Sequence, residues 1–330
     1  MVFFEVVLAL AIERIWLSVA KWRRFTWFMR FAAWSETRRS HAHVSITHPG
    51  SDDASVIPAT NIGGRARVLL LTLAPAAAVG LIHHLLSESL LILVFIFDVA
   101  VLLYCLGPKD LDTQVRAFIH AYTHTGKEAA HHHLADIINA DIESKTPLTL
   151  SQMLHAVIEA ILIEANERWF AVIFWFVVLG PLGAVFYRLS SLLQNNADEL
   201  RPDNFAVAAS GTPDNFAAAA QHLHAILGWL PARITALSYA IMGSFVDAID
   251  GWSQGIPNQL VGQLVSRSSG NADVVRNSGL GALRMNDVVQ GTAKKTMSIS
   301  HVRNALALVW RTLIFCLGVL LVVSLMSWLV

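Results

Sequence analysis

The chain has 330 residues, 55% of them hydrophobic and 15% charged, and its mean hydropathy is +0.52. That is too apolar for an ordinary soluble domain and too charged for a chain immersed in lipid throughout, so it describes an integral membrane protein with modest extramembrane helices. Basic and acidic residues balance at 24 each, leaving no field to attract nucleic acid, and two cysteines, Cys105 and Cys316, both inside apolar runs, exclude a disulfide framework.

Residues 1–20 form a candidate first transmembrane helix, interrupted by Glu5, Glu13 and Arg14 and with no basic region before it, so no cleaved signal peptide is expected. Residues 21–67 begin with KWRRFTWFMRFAAW, the pattern of an amphipathic helix lying on a membrane surface, and continue as a polar loop. Residues 68–106 hold two apolar runs joined by only Ser87, Glu88 and Ser89, which makes them an antiparallel transmembrane hairpin ended by Gly107 and Pro108. Residues 107–168 are polar with helical spacing, and Thr149 with Gln152 reads as a capping box opening a helix that runs on into the next span.

Residues 169–189 are the central transmembrane helix, about twenty apolar residues with polar groups at both ends. Gly180, Pro181 and Gly183 near its middle predict a kinked, closely packed member of a bundle. Residues 190–222 carry a short duplication, PDNFA at Pro202 and again at Pro213, far too brief for a solenoid. Residues 223–250 read as a further transmembrane helix ended by Gly251, residues 251–304 as a Gly/Ser/Asn-rich segment, and residues 305–330 as the last span. The fold class is therefore all-α, a polytopic helical membrane protein of about five or six transmembrane helices with amphipathic helices outside the bilayer.

Lysines and arginines crowd residues 21–67, 107–168 and 251–304, whereas the alternate loops hold only Arg201. The positive-inside rule makes those three segments cytoplasmic and residues 190–222 periplasmic.

Asp98 sits in the apolar run LLILVFIFDVAVLLY, where an ionised carboxylate needs a partner; with Glu13 and Arg14 it makes up the intramembrane polar set. A second set is expected to converge at the cytoplasmic mouth: Glu164, Asn166, Arg168, Asp247, Asp250, Arg284, Lys294 and Lys295. Mixed acids and cations on converging helix ends can hold an anionic ligand. Asp247 and Asp250, three residues apart, are expected to share the C-terminal face of the helix from Gly228, against the helix dipole, with the cations compensating. His120, His124 and His131 to His133 share helical spacing, but no Cys or HExxH pattern accompanies them, so a solvated face outweighs a metal site. His83, His84, His222, His224 and Arg233 gather near the outer face, where a pH or anion sensor is the functional reading and ordinary polar groups the plainer one. The sequence assigns no catalytic residue, no metal and no particular cofactor.

The opening ALAIERIW, the central AVIFWFVVLGPLGAVFYRL, GWLPARITALSYAIMG from Gly228 to Gly243 and TAKKT from Thr292 to Thr296 resemble the AmpE/CobD superfamily of membrane proteins, and within it the AmpE branch. That resemblance implies a non-enzymatic inner-membrane regulator or sensor tied to β-lactamase induction and cell-wall recycling, with the lipid bilayer and a muropeptide-recycling or signalling protein as partners. The CobD/CbiB branch is similar too. Its members are adenosylcobinamide-phosphate synthases, which join an aminoalcohol or its phosphate to a corrinoid carboxylate. They carry ESxxEN before an FW pair and SPNSGWP before a GALGVRL-like segment; here the two regions read EAILIEANERWFAVIFW and SSGNADVVRNSGLGALRM. These departures favour the regulator, with the synthase as the alternative.

Overall fold

A computed structural model describes residues 2–15, 25–32, 62–88, 91–106, 111–138, 148–196, 215–254, 270–285 and 297–329. Every regular element among them is helical: α1 (Val2–Ile15), α2 (26–32), α3 (Ile62–Ser87), α4 (Leu91–Cys105), α5 (Leu111–His120), α6 (Lys127–Ile138), α7 (Leu150–Ala165), α8 (Ala171–Asn195), α9 (Asn215–Met242), α10 (Phe245–Gln254), α11 (Gly270–Ala282) and α12 (Ile299–Leu329). The expected all-α polytopic class is what the structure has. Four stretches are long and apolar enough to cross a membrane: Gly64–Ser87, Ser151–Asn195, Phe216–Met242 and Ile299–Ser327. At 1.5 Å per residue, α4 and α1 are about 20 Å long within the described residues, short of the roughly 30 Å hydrocarbon core. The first PDNFA copy, from Pro202, lies outside the described residues; the second runs from Pro213 into the start of α9, where Asn215, Phe216 and Ala217 are described.

Local sequence chemistry sets several boundaries. Thr149 opens α7 through the expected capping box: Gln152 N donates to Thr149 Oγ1 at 3.3 Å, and Thr149 N donates to Gln152 Oε1 at 2.8 Å. Two π-helical turns, Ala121–Thr125 and Asn166–Phe170, extend α5 and join α7 to α8. Residues 223–250 are not one helix. The chain breaks at Gly243, whose missing side chain lets it press against the backbone of Ala282, and Gly251 falls inside α10 instead of capping a span.

The larger departure is at Gly180. Its φ of 65° and ψ of −155° lie outside the helical region, Pro181 cannot donate a hydrogen bond back, and a Cβ on Gly183 would collide with the carbonyl oxygen of Trp175. Residues eight apart in a straight helix stand about 12 Å apart along the axis, so the chain turns back on itself here. Contacts on both limbs agree: Trp175 Nε1 donates to Leu227 O at 3.0 Å, while Tyr187 stacks 5.2 Å from His224, one turn away on α9. The central span that the sequence reads as one kinked rod is a helical hairpin, with an outgoing limb (171–179) and a return limb (181–195).

The core centres on α7, whose residues from Met153 to Leu162 are all buried among neighbouring helices. α11 packs against α9, α10 and α7 along small residues. Gly281 meets the Asp247 backbone, Gly279 meets Leu162, and Ser278 Oγ donates to Ala236 O at 2.7 Å. Apolar side chains left exposed, such as Leu70, Leu91, Ile226, Ile234, Val322 and Val323, mark the faces turned to lipid.

At the start of α3, the Arg67 guanidinium sits 4.9 Å from the centroid of the Phe216 ring, at the start of α9. The expected orientation separates these two residues by the bilayer. The contact corrects it, and the reversal at Gly180 gives the reason, because a returning limb removes one crossing between them.

Candidate functional site

A groove of about 970 Å³ opens between α1, α5 and α12. Its floor is apolar, built from Leu10, Trp169, Leu306 and Trp310, with the two indoles 5.6 Å apart. Its rim holds Glu13, Arg14, Asp112, Arg116 and Arg303, with His120 and His124. Asp112 accepts from both Arg14 Nη1 at 3.1 Å and Arg116 Nε at 2.9 Å, while Arg14 lies 5.2 Å from the centroid of Trp310. One buried carboxylate thus orients two arginines whose outer atoms remain in water. A positively biased rim over an aromatic floor suits a bulky ligand with an anionic edge.

The intramembrane set therefore divides. Glu13 and Arg14 line the groove; Asp98 is buried on α4 and bonded to His83 Nδ1 of α3 at 2.8 Å. That bond ties the two helices of the hairpin and meets the demand for a partner.

The set expected at one mouth falls into separate places. Arg168 Nε donates to Glu164 Oε2 at 2.6 Å, and its other nitrogens reach Gln114 Oε1 at 2.9 Å and Ile137 O at 3.3 Å, so it fastens α5 and α6 to α7. Asn166 Oδ1 accepts from Thr235 Oγ1 of α9 at 2.9 Å. Asp247 pairs at 3.2 Å with Nε of Arg284, which lies just beyond the end of α11 and is one of the cations expected to compensate it, and Asp250 is exposed. Because the helix breaks at Gly243, Asp247 occupies the first turn of α10, where its carboxylate accepts a hydrogen bond from Ser244 Oγ and the dipole favours a negative charge. Asp247 and Asp250 therefore do not both oppose a helix C-terminus, contrary to the expectation from the sequence. Lys294 and Lys295 lie outside the described residues.

His120 and His124 stack 5.0 Å apart on an exposed face, and His132 pairs with Asp136 at 3.7 Å. Among the described residues no group of three His, Cys, Asp or Glu side chains converges on a metal position. Arg233 covers Trp229 and reaches Asn271 Oδ1 at 3.3 Å, whereas His224 is buried beside Ser190.

A cluster the sequence reading did not single out lies between α7 and α11. Glu159 and Arg276 are each 1% exposed, and Glu159 Oε1 is 3.9 Å from Arg276 Nε. Asp273 takes Arg276 Nη1 at 3.1 Å, Asn277 Oδ1 accepts from Nε and Nη2, and His155 Nε2 stands 3.3 Å from Glu159 without the alignment for a hydrogen bond. Two charges stay buried only when paired and hydrogen-bonded. Glu159 opens the stretch EAILIEANERWF and Arg276 lies within SSGNADVVRNSGLGALRM, the two regions compared above with the ESxxEN and SPNSGWP motifs. An acid at the head of the first and an arginine inside the second were visible signals; only the fold joins them.

A family model described as CobD/Cbib protein matches residues 6–285. Two curated relatives are both named "Cobalamin biosynthesis protein CobD". The protein of Chromobacterium violaceum is 27% identical over 280 residues, covering 84% of this chain and 78% of its own; that of Stutzerimonas stutzeri is 26% identical over 225 residues, covering 64% and 68%. No solved structure shows a significant match. The match and the two names overturn the expected regulator of β-lactamase induction and cell-wall recycling, and nothing supports its muropeptide-linked partner. The motif departures that favoured that reading are substitutions within the other branch.

Proposed function

The chain belongs to the CobD/CbiB family, and from that premise we propose that this multi-pass membrane protein is an enzyme of the adenosylcobinamide-phosphate synthase type, seated in a bacterial inner membrane and joining an aminoalcohol or its phosphate to a corrinoid carboxylate. The observation that carries the reading is the match across residues 6–285, which includes both segments joined by Glu159 and Arg276. The groove supports it. A space of about 970 Å³ with an indole floor has room for a macrocycle, and Arg14, Arg116 and Arg303 can hold the carboxylate or phosphate groups at its edge.

Amide formation from a carboxylate and an amine needs an activated carboxyl, one of whose oxygens takes a phosphoryl group from a nucleoside triphosphate, releasing the diphosphate, and leaves as phosphate when a deprotonated amine attacks the carbon. In this reading the rim arginines, two of them oriented by Asp112, hold anionic oxygens, and Glu13 is the carboxylate that faces an ammonium-bearing partner. The test is purified protein in nanodiscs supplied with a corrinoid acid, a nucleoside triphosphate and either a free or a phosphorylated aminoalcohol, with the amide product followed by mass spectrometry. Product from either aminoalcohol supports the reading, and its absence from both sinks it.

A further inference from the structure

Arg188, on the return limb of the α8 hairpin, is 7% exposed, and its Nε is buried with no hydrogen-bond partner. Among the described residues it makes no hydrogen bond or ion pair at all. Its guanidinium lies over the face of Phe25, whose ring centroid is 5.9 Å away. The preceding residue repeats the pattern: Tyr187 is 1% exposed and its Oη has no partner. The hairpin brings these groups within electrostatic reach of Glu164, Glu167 and Arg168 on the approach to the outgoing limb, and of His224 on α9. Arg168 shows what a satisfied arginine looks like here, since it has Glu164, Gln114 and Ile137 O.

A guanidinium cannot shed its charge in a protein, so burial without a hydrogen-bonded anion is a cost; Glu164 and Glu167 act on Arg188 only at a distance, and a ring at 5.9 Å recovers only a small part. Buried charge of this kind inside a membrane bundle marks a site. We propose that Arg188, with Tyr187 beside it, is the anchor of a binding site for an oxyanion of the phosphate-ester class, enclosed by the hairpin that Gly180 and Pro181 create. Two sources carry that group: a free aminoalcohol phosphate and a phospholipid headgroup. The first source rests on the reaction proposed above, but the site itself does not, and binding without amide synthesis would separate the two.

The experiment uses the full chain in phosphatidylcholine nanodiscs as wild type, Arg188→Met and Arg188→Lys. Calorimetric binding and melting are measured with O-phosphoethanolamine, inorganic phosphate and, as the uncharged-end control, ethanolamine; a parallel set contains phosphatidylglycerol. Expected are binding and a melting increase with the two phosphates but not with ethanolamine, a loss of at least tenfold in affinity for Arg188→Met, and a smaller loss for Arg188→Lys. Without ligand, Arg188→Met should melt no lower than wild type, because methionine fills the space without an unpaired charge. A melting increase seen only with phosphatidylglycerol, and only when Arg188 is present, assigns the site to a lipid headgroup. Anion effects identical in wild type and Arg188→Met, or no anion effect in any protein, overturn the proposal, as does an unliganded Arg188→Met that melts well below wild type while keeping its anion response.

Discussion

Glu159 of α7 and Arg276 of α11 face each other at 3.9 Å, both almost wholly shielded from solvent. Removing one member of a buried pair strands the other, so Arg276→Ala should cost about 3–5 kcal/mol of stability. Glu159→Leu combined with Arg276→Met should cost clearly less than the two single changes added together. Thermal or denaturant unfolding in detergent through a double-mutant cycle measures this; a coupling below about 0.5 kcal/mol would mean that the pair is incidental.

The glycines separate conformational need from lack of space. At Gly180 nothing lies within 4 Å, but φ is 65°, so Gly180→Ala should cost about 1–2 kcal/mol through the backbone alone. Gly281 has the opposite problem, because a methyl group would strike the Asp247 carbonyl; Gly281→Ala should cost about 1–3 kcal/mol as α10 and α11 are forced apart. Gly318 on α12 has open space and no unusual φ, so Gly318→Ala should be neutral or stabilise by up to about 1 kcal/mol. Equal melting changes for all three would contradict this division.

Arg67 and Phe216 stand together at the starts of α3 and α9. With Cys105 and Cys316 replaced by Ala, cysteines at these two positions should therefore be joined by a short bismaleimide linker in intact membranes, giving a species with faster gel migration that either single-cysteine control lacks. Failure to cross-link, together with labelling of the two cysteines from opposite faces, would restore the orientation read from charge distribution and refute the returning limb.

Asp112 orients both rim arginines of the groove, whose side chains are 52% and 71% exposed. Both arginines stay solvated without it, so Asp112→Asn should change stability by no more than about 1 kcal/mol. The arginines would nonetheless lose their common acceptor. In the amide-forming assay KM for the anionic substrate should rise roughly tenfold, a loss of about 1.4 kcal/mol in binding, with kcat much less affected. An unchanged KM would place the substrate elsewhere.

Much of the architecture was legible without coordinates. Runs of apolar residues fix where helices can cross lipid, the Thr149 to Gln152 spacing fixes where α7 begins, and Gly180 with Pro181 announces a disruption. These are local signals, set by backbone hydrogen bonding and by the residues within a turn. Local information could not say whether the disruption bends the rod or reverses it. That depends on Gly183 finding the Trp175 backbone and on α9 receiving both limbs.

The same limit governs the site. Asp247 looked like a charge at a helix end because the apolar pattern runs past Gly243, and only the packing of Gly243 on Ala282 shows that a new helix starts there. Glu159 and Arg276 lie in segments far apart along the chain, and no periodicity links them. Sequence by itself determined that the protein is helical and membrane-borne, because hydropathy and helix geometry are properties of short stretches. Which charges are paired, which acid orients the groove and which arginine is left without a partner were decided by the tertiary structure, because a buried charge is defined by what other parts of the chain bring to it.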